Sequence, residues 1–572
     1  MSNEKRLEAL KAEGEAPEWL SNDGYRMLQG GYFFGEETPK DMYRRVASTV
    51  SRSLKKPELE ARFFDILWKN WLCPSTPVLC NAGTDRGLPI SCFSSYMADD
   101  TYEILETLQE VAMLSKYGGG TAIHINDIRP KGAPISKGGH SDGVVPFMKM
   151  ADSVILGISQ GSTRRGACAA YIDIEHGDFD EFLHSRRPTG DTNRQCLNLH
   201  HGVCVSNAFI DKVKAGDTEA RRRWRELIKS RVETGEPYVF FSDNANDQAP
   251  EVLKNTGIRL KGSNLCSEIF LPTDKDHTFV CCLSSLNLAR WDEWKDTDTV
   301  QLSVWFLDGI MEEFIQKSAN LRGFEKALRF AKKSRALGLG VLGLHSYFQK
   351  NMIAFDSLQA YLQNKIIFKK IREEAEIATG YLAKEYGEPE WCKGHGRRNA
   401  TLMAVAPTVS NSLIASNVSQ GIEPWIANAF AQKSAKGTFV RRNPELEKLL
   451  KNIRQDTDEV WGSILKNDGS VQHLECLTSE QKEVYLTARE LNQFAIIKLA
   501  AERQKYIDQG QSINVFFPAN SDPKYINQVH LEAANSGLKS LYYLRSTSVL
   551  KAEQNSNAVY KRELTECTWC EG

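Results

Sequence analysis

Stretches whose apolar residues recur at three-and-four spacing alternate along this chain with short apolar runs, and no low-complexity linker interrupts them over 572 residues. Residues 102–115, 302–320 and 480–504 carry the helical period, whereas residues 121–125 and 202–205 read as strands. The alternation predicts an α/β fold. Such a length suits three or four average domains, or a barrel that keeps most of the chain around one core; no repeat of fixed period is present. No uninterrupted apolar run reaches the roughly 18 residues a membrane helix needs, and the charged opening, residues 1–15, has no signal-peptide core. A cytoplasmic protein without a membrane partner is the expectation.

The charge balance narrows the partners. With 72 basic against 73 acidic residues, nothing marks the chain as a binder of nucleic acid polymers, so any phosphate must be held by a local site. Thirteen cysteines are odd in number and sparse, without the regular framework of a secreted protein, which predicts reduced thiols, several serving as small apolar residues.

Five of the cysteines invite a chemical reading. In the run Asn264, Leu265, Cys266, Ser267, Glu268, an amide, a thiol and a carboxylate occupy every second position. If the segment is extended, all three share a face and converge on one small substrate. Together with Cys92, Cys281 and the terminal pair Cys567 and Cys570, they point to thiol redox chemistry. A zinc site at the terminal pair needs a second pair, for which Cys392 and His395 are the candidates, far away in sequence. A thioredoxin-like motif belongs in a strand-to-helix turn, not two residues from the end of the chain. Two thiols on a flexible tether, able to exchange with a buried disulfide, fit the location; an inert tail is the alternative. Residues after 555 lack a periodic apolar face and read as that tail.

Two further motifs have plainer readings. Gly338, Gly340 and Gly343 spell a dinucleotide-binding G-x-G-x-x-G, but residues 329–335 before them are cationic and helix-like, and Asp356 comes too early to hold a ribose. Close packing of helix against strand explains these glycines better. Thr408, Val409, Ser410, Asn411 and Ser412 precede the apolar residues 413–415 and resemble a helix start, where backbone amides favour an anion; on this segment alone, plain N-capping is the commoner outcome. Among the His, Cys, Asp and Glu groupings none has metal-ligand spacing, so no metal is expected in this chain.

In order and spacing these pieces resemble the large catalytic subunit of class I ribonucleotide reductase, from about Pro74 to Gly572. The resemblance is carried by Ser91, Cys92 and Phe93; by SKYGGGTAIHI at residues 115–125; by Gly143 to Pro146; by residues 264–268; by Cys281, Cys282, Leu283 and Ser284; by residues 335–344 and 407–412; by Gly421 to Pro424; by Tyr542 and Tyr543; and by the CxxC tail. The fold it implies is a ten-stranded α/β barrel of two five-stranded parallel halves, antiparallel to each other, with residues 264–268 on a loop through the centre. The implied division is a helical segment over residues 1–73, the barrel over 74–555 and a redox tail over 556–572.

The resemblance also implies roles. Cys266 becomes the thiyl radical that takes the 3′ hydrogen of the ribose, Glu268 accepts the 3′-hydroxyl proton, and Asn264 orients the hydroxyls. Cys92 protonates the departing 2′-hydroxyl, and Cys92 with Cys281 supplies two electrons, ending as a disulfide; Cys282 is the alternative one residue on. Cys567 and Cys570 regenerate the pair, with thioredoxin or glutaredoxin as external reductant. Residues 408–412 take the substrate phosphates, with Thr76, Ser91 and Gly120 also lining the ribonucleotide. Tyr542 and Tyr543 pass the radical inward from a small ferritin-like subunit carrying a dinuclear metal site; on their own they read as two strand aromatics on opposite faces. Asp100 and Arg129 bind the base and phosphates of a deoxynucleoside triphosphate or ATP effector, with Mg²⁺, at a homodimer interface; a helix cap is the plainer reading of Asp100. Residues 191–201 match the effector-relay loop in position while diverging in sequence. The helices before Pro74 leave no room for the nucleotide-binding cone of many relatives, so shut-off by dATP at such a cone is expected to be absent. A cobalamin-dependent reductase is the nearest alternative, and a nicotinamide dehydrogenase or a catalytically silent nucleotide-binding partner are more distant ones.

Overall fold

The computed structural model describes residues 3–136, 138–160, 164–434 and 437–546. Helices Asn3–Ala12, Asn22–Gln29, Pro39–Leu54 and Glu60–Trp68 open the chain. The second and third begin conventionally, with Ser21 and Thr38 accepting from the backbone of their own first turns. Pro39–Leu54 lays Met42, Val46 and Val50 against the helix Thr299–Ser318, so the N-terminal helices share the main core instead of forming their own.

The strands, in chain order, are β1 (Leu72–Pro74), β2 (Cys92–Tyr96), β3 (Gly120–His124), β4 (Ser159–Gln160), β5 (Arg164–Arg165), β6 (Ala167–Asp173), β7 (Leu199–Val205) and β8 (Tyr238–Phe241). They continue as β9 (Phe279–Asn287), β10 (Leu337–Leu342), β11 (Ala429–Ser434), β12 (Gly437–Arg442), β13 (Val515–Phe517), β14 (Ser540–Leu541) and β15 (Leu544–Ser546). β2, β3, β6, β7 and β8 form a parallel run of five, buried on both faces as parallel sheets are. β9 lies antiparallel to β2 and carries β10 parallel on its other side, while β14 closes antiparallel onto β8.

The sheet therefore curls, and backbone hydrogen bonds carry the curl round. Leu339 of β10 donates to Leu402, Ser512 donates to Val405, and Tyr542, just past β14, donates to Ile513. Among the described residues the main sheet has nine regular strands, and the bridged segments near residues 403–405 and 511–513 continue its curl. Among the described residues no helix is long and apolar enough to cross a membrane.

The periodic helices are found as Thr101–Lys116 and Thr299–Ser318, but residues 480–504 divide into Ser479–Val484 and Gln493–Gln504. Gly338 and Gly340 lie inside β10, not in a strand-to-helix turn. A Cβ at Gly340 would run into the Ala404 carbonyl oxygen, so the glycines admit a neighbouring backbone segment, not the helix expected from sequence.

Candidate active site

Residues 264–268 sit at the centre of the curled sheet, all of them buried. They are not extended. The Ser267 amide donates to the Asn264 carbonyl at 3.3 Å, and Ser267 takes a φ of 67°, so the chain turns on itself and gathers its side chains by folding. The Asn264 side chain is the hub. Its Oδ1 accepts from the Glu268 and Ile269 amides, both at 3.1 Å, which fixes Nδ2 as the donor toward Glu268 Oε1 at 3.0 Å and Cys92 Sγ at 3.6 Å.

Remote segments pin this turn. Ser512 Oγ lies within reach of both the Cys266 carbonyl (2.6 Å) and Glu268 Oε2 (3.1 Å); Ser540 Oγ donates to the Ser267 carbonyl at 2.7 Å, and Tyr171 donates to that of Asn264 at 2.9 Å. Ser512 lies in an amide-rich run, Gln509, Gly510, Gln511, Ser512, that sequence reasoning passed over. Three side chains able to hydrogen-bond were the only signal there, and burial is what makes it meaningful.

Cys92 of β2 and Cys281 of β9 are direct register partners across an antiparallel ladder, and both are thiols. Opposed residues there stand about 4.5–5.5 Å apart at Cα, within the roughly 4.4–6.8 Å a disulfide spans. Burial pushes the Cys281 thiol well above its ordinary range, the neighbouring Cys92 adds to the rise, and a hydrogen bond from Gln509 opposes it. Strand alternation sends Cys282 to the other face. There burial again raises the thiol, with Cys92 and then Asp308 and Glu313 of the helix behind the sheet adding to it. Ser91 Oγ is 3.7 Å from Cys92 Sγ. Gly120, the β3 register partner of Cys92, donates its amide to Ser91; a Cβ there would come 3.1 Å from Leu265, so the glycine makes room for the 264–268 turn.

The 408–412 segment starts the helix Val409–Ile414, but the Thr408 side chain does not cap it. Thr408 takes a φ of 54°, and its hydroxyl bonds the Gly421 amide at 2.8 Å and Ser412 Oγ at 3.0 Å. Asn411 Nδ2 donates to the Pro74 carbonyl at 3.0 Å, which brings the segment beside Thr76, itself held by Tyr32 at 2.9 Å.

Tyr542 and Tyr543 are buried with ring centroids 4.3 Å apart, and a third ring joins them. Tyr238 lies 4.7 Å from Tyr542 and 5.0 Å from Tyr543, and its hydroxyl donates to the Tyr543 oxygen at 2.8 Å. His200 Nδ1 sits 3.4 Å from that oxygen and 2.7 Å from Glu236. Glu236 stays ionised despite its burial because Arg186, His200 and His201 surround it. The two tyrosines thus form a packed cluster, not a pair split across two sheet faces.

Asp100 N-caps the helix Thr101–Lys116, accepting from Tyr102 at 2.9 Å and Glu103 at 3.2 Å. Arg129 pairs with Asp99 at 2.6 Å and donates to the Pro134 carbonyl. Cys567 and Cys570 lie outside the described residues. Among the described residues no three His, Cys, Asp or Glu side chains gather as a metal site.

Known proteins share this arrangement of sequence and fold. Residues 18–87 match the all-alpha domain of ribonucleotide reductase, and residues 90–219, 216–394 and 389–544 match its barrel domain. The ribonucleoside-diphosphate reductase large subunit of Invertebrate iridescent virus 6 is 44% identical, the match covering 93% of each chain. That of Invertebrate iridescent virus 3 is 34% identical over 96% of this chain and 98% of its own. The solved structure of the Actinobacillus ureae class Id ribonucleotide reductase alpha subunit superposes with a TM-score of 0.87 at 46% identity, covering 93% of this chain and 98% of that one.

Proposed function

The chain belongs to the ribonucleotide reductase large-subunit family, and from that premise we propose which of its residues carry the chemistry. It reduces ribonucleoside diphosphates to deoxyribonucleotides as the large subunit of a class I enzyme, with the radical delivered by a partner subunit. Cys266 is the thiyl radical that removes the 3′ hydrogen of the ribose. Glu268, held by Asn264 and Ser512, takes the 3′-hydroxyl proton, a carboxylate's task once it is within hydrogen-bond reach of substrate. Asn264 orients the hydroxyls, Cys92 protonates the leaving 2′-hydroxyl, and Cys92 with Cys281 yields two electrons and closes into a disulfide. Thr76, Ser91, Gly120 and the backbone and hydroxyls of 408–412 receive the nucleotide, its phosphates at the uncapped helix start.

Tyr543 takes the radical from the partner and Tyr542 passes it to Cys266. A groove of about 790 Å³ between helices Thr218–Thr234 and Pro523–Asn535, lined by Trp224, Ile228, Ile526 and Leu544 and bordered by Lys214, Arg221 and Arg225, begins one residue past Tyr543. It suits an apolar segment of the small subunit bearing acidic residues, docked beside the tyrosine it must oxidise. The ferritin-like nature of that subunit and its dinuclear metal site are part of the proposal. So are Cys567 and Cys570 as carriers of electrons from a thioredoxin or glutaredoxin. A homodimer forms through the helices Thr101–Lys116 and Val145–Gly157, which pack side by side and leave Tyr102 (77%), Leu105 (50%) and Leu156 (65%) exposed. Asp100 and Arg129, near that face, contact a nucleoside triphosphate effector.

The reading is carried by one observation: Asn264 Nδ2 faces Glu268 at 3.0 Å and Cys92 Sγ at 3.6 Å, beside the Cys92–Cys281 register pair. Cys266→Ser, assayed with the small subunit, is expected to form no deoxynucleotide while binding nucleoside diphosphate within about twofold of the parent. Appreciable turnover would remove Cys266 from the role.

A further inference from the structure

Gln509 is fully buried, and its amide orientation is forced. Oε1 accepts from the Phe270 amide at 3.2 Å, a group that only donates, while Nε2 lies 2.9 Å from the Leu337 carbonyl, which only accepts. Nε2 therefore meets Cys281 Sγ, 3.3 Å away, as a donor. The same side of Cys281 is walled by β10, where a Cβ at Gly338 would lie 3.2 Å from the sulfur. Cys92 is bordered differently. Its sulfur faces Asn264 and Ser91, on the side the nucleotide occupies, and it is 5% exposed against 1% for Cys281.

We propose that Gln509 is the positioning residue of the electron-donating thiol pair: it polarises Cys281, so that the disulfide left by turnover opens at Cys92 and Cys281 departs as thiolate. This rests on the reading of Cys92 and Cys281 as the reducing pair. An incoming thiolate bonds to Cys92 Sγ as the Cys92–Cys281 bond breaks; the electron pair goes to Cys281 Sγ, which then takes a proton. A second thiol attacks the mixed disulfide, frees Cys92 and leaves the reductant oxidised as a disulfide.

Two features select that direction. Displacement at sulfur runs in line with the breaking bond, and the line through Cys281 passes from β2 across β9 into Gln509 and β10, whereas Cys92 is approached from the space a departing deoxynucleotide vacates. The Gln509 hydrogen bond also works against the burial that raises the Cys281 thiol, easing that sulfur's departure as thiolate. Asn264 gives Cys92 only a longer contact, 3.6 Å, and the same nitrogen serves Glu268 at 3.0 Å.

The test uses the holoenzyme with Cys567→Ser and Cys570→Ser, so that added glutathione is the only reductant. After one turnover on a ribonucleoside diphosphate without external thiol, limiting glutathione is added, freed thiols are trapped with N-ethylmaleimide, and peptides are mapped by mass. Glutathione on Cys92 with maleimide on Cys281 is expected, by roughly ten to one. In Gln509→Met the opening slows by about tenfold, although mapping the parent alone decides the direction. Glutathione on Cys281, or an even split, overturns the inference and leaves the thiol pair intact; no Cys92–Cys281 disulfide after turnover overturns the reading of the pair and the inference with it.

Discussion

Glu423 illustrates how burial gives a single side chain a new property. Its carboxyl is pushed up to about 7 by burial, against the pull of Arg545 and of Asn514, whose Nδ2 donates to Oε1 at 2.6 Å. Asn514 also accepts the Tyr543 amide at 2.9 Å, so the carboxyl stands one residue from the tyrosine cluster. Because the folded value lies above the unfolded one, the folded chain holds the proton more tightly. That contribution is complete below the ordinary carboxylate range and is lost as pH rises through about 7. Glu423→Gln should therefore gain about 2 kcal/mol relative to the parent between pH 5 and 8, read as a Tm difference that widens in the variant's favour as pH rises; parallel pH curves would show that Glu423 titrates normally. At this scale the sequence exposes chemistry but not support. Asn264, Cys266, Glu268 and Cys92 announce themselves by residue type, whereas Ser512 and Gln509 gain meaning only because the fold returns them, Ser512 to the turn and Gln509 to Cys281.

Elements were legible where one face meets one core. Thr101–Lys116 and Thr299–Ser318 keep their period because each packs against the main core along its length. The run 480–504 has a continuous period and still breaks. Val484 and Tyr485 belong to a satellite core with Trp461 and Leu450, while Ala488 and Leu491 join the main one, and Asn492 caps a new helix between Leu491 and Phe494. The glycines of β10 mark a close contact between elements near the site. Gly340→Ala must displace the Ala404 backbone, one of the segments that carries the sheet round; a loss of about 2 kcal/mol or more is expected, read as a lowered Tm, since overpacking against backbone has no rotamer to relieve it. An unchanged Tm would mean that the 403–405 segment yields freely.

At the scale of the whole molecule, α/β alternation foretold the class, but not how the sheet closes. Closure relies on bridges between segments too irregular to carry a strand's period, such as Val405 with Gln511. Nor does the sequence reveal which apolar residues remain outside. Tyr102, Leu105 and Leu156 occur at helical spacing like any core residue and become conspicuous only when their helices are seen to face solvent. If they seat a second copy, Leu105→Glu with Leu156→Glu should yield a monomer by sedimentation at micromolar concentration where the parent is a dimer; a parent that is itself monomeric there would dismiss the interface.

The ladder that sets Cys92 opposite Cys281 has a practical corollary. Since the two sulfurs are already neighbours in register, oxygen can join them without moving a strand. A purified sample left in air would keep its shape and its appetite for nucleotides while, on the proposed role of this pair, having spent the electrons stored there. Structural health and catalytic readiness are separate properties of this protein, and a fresh dithiol restores the second without touching the first.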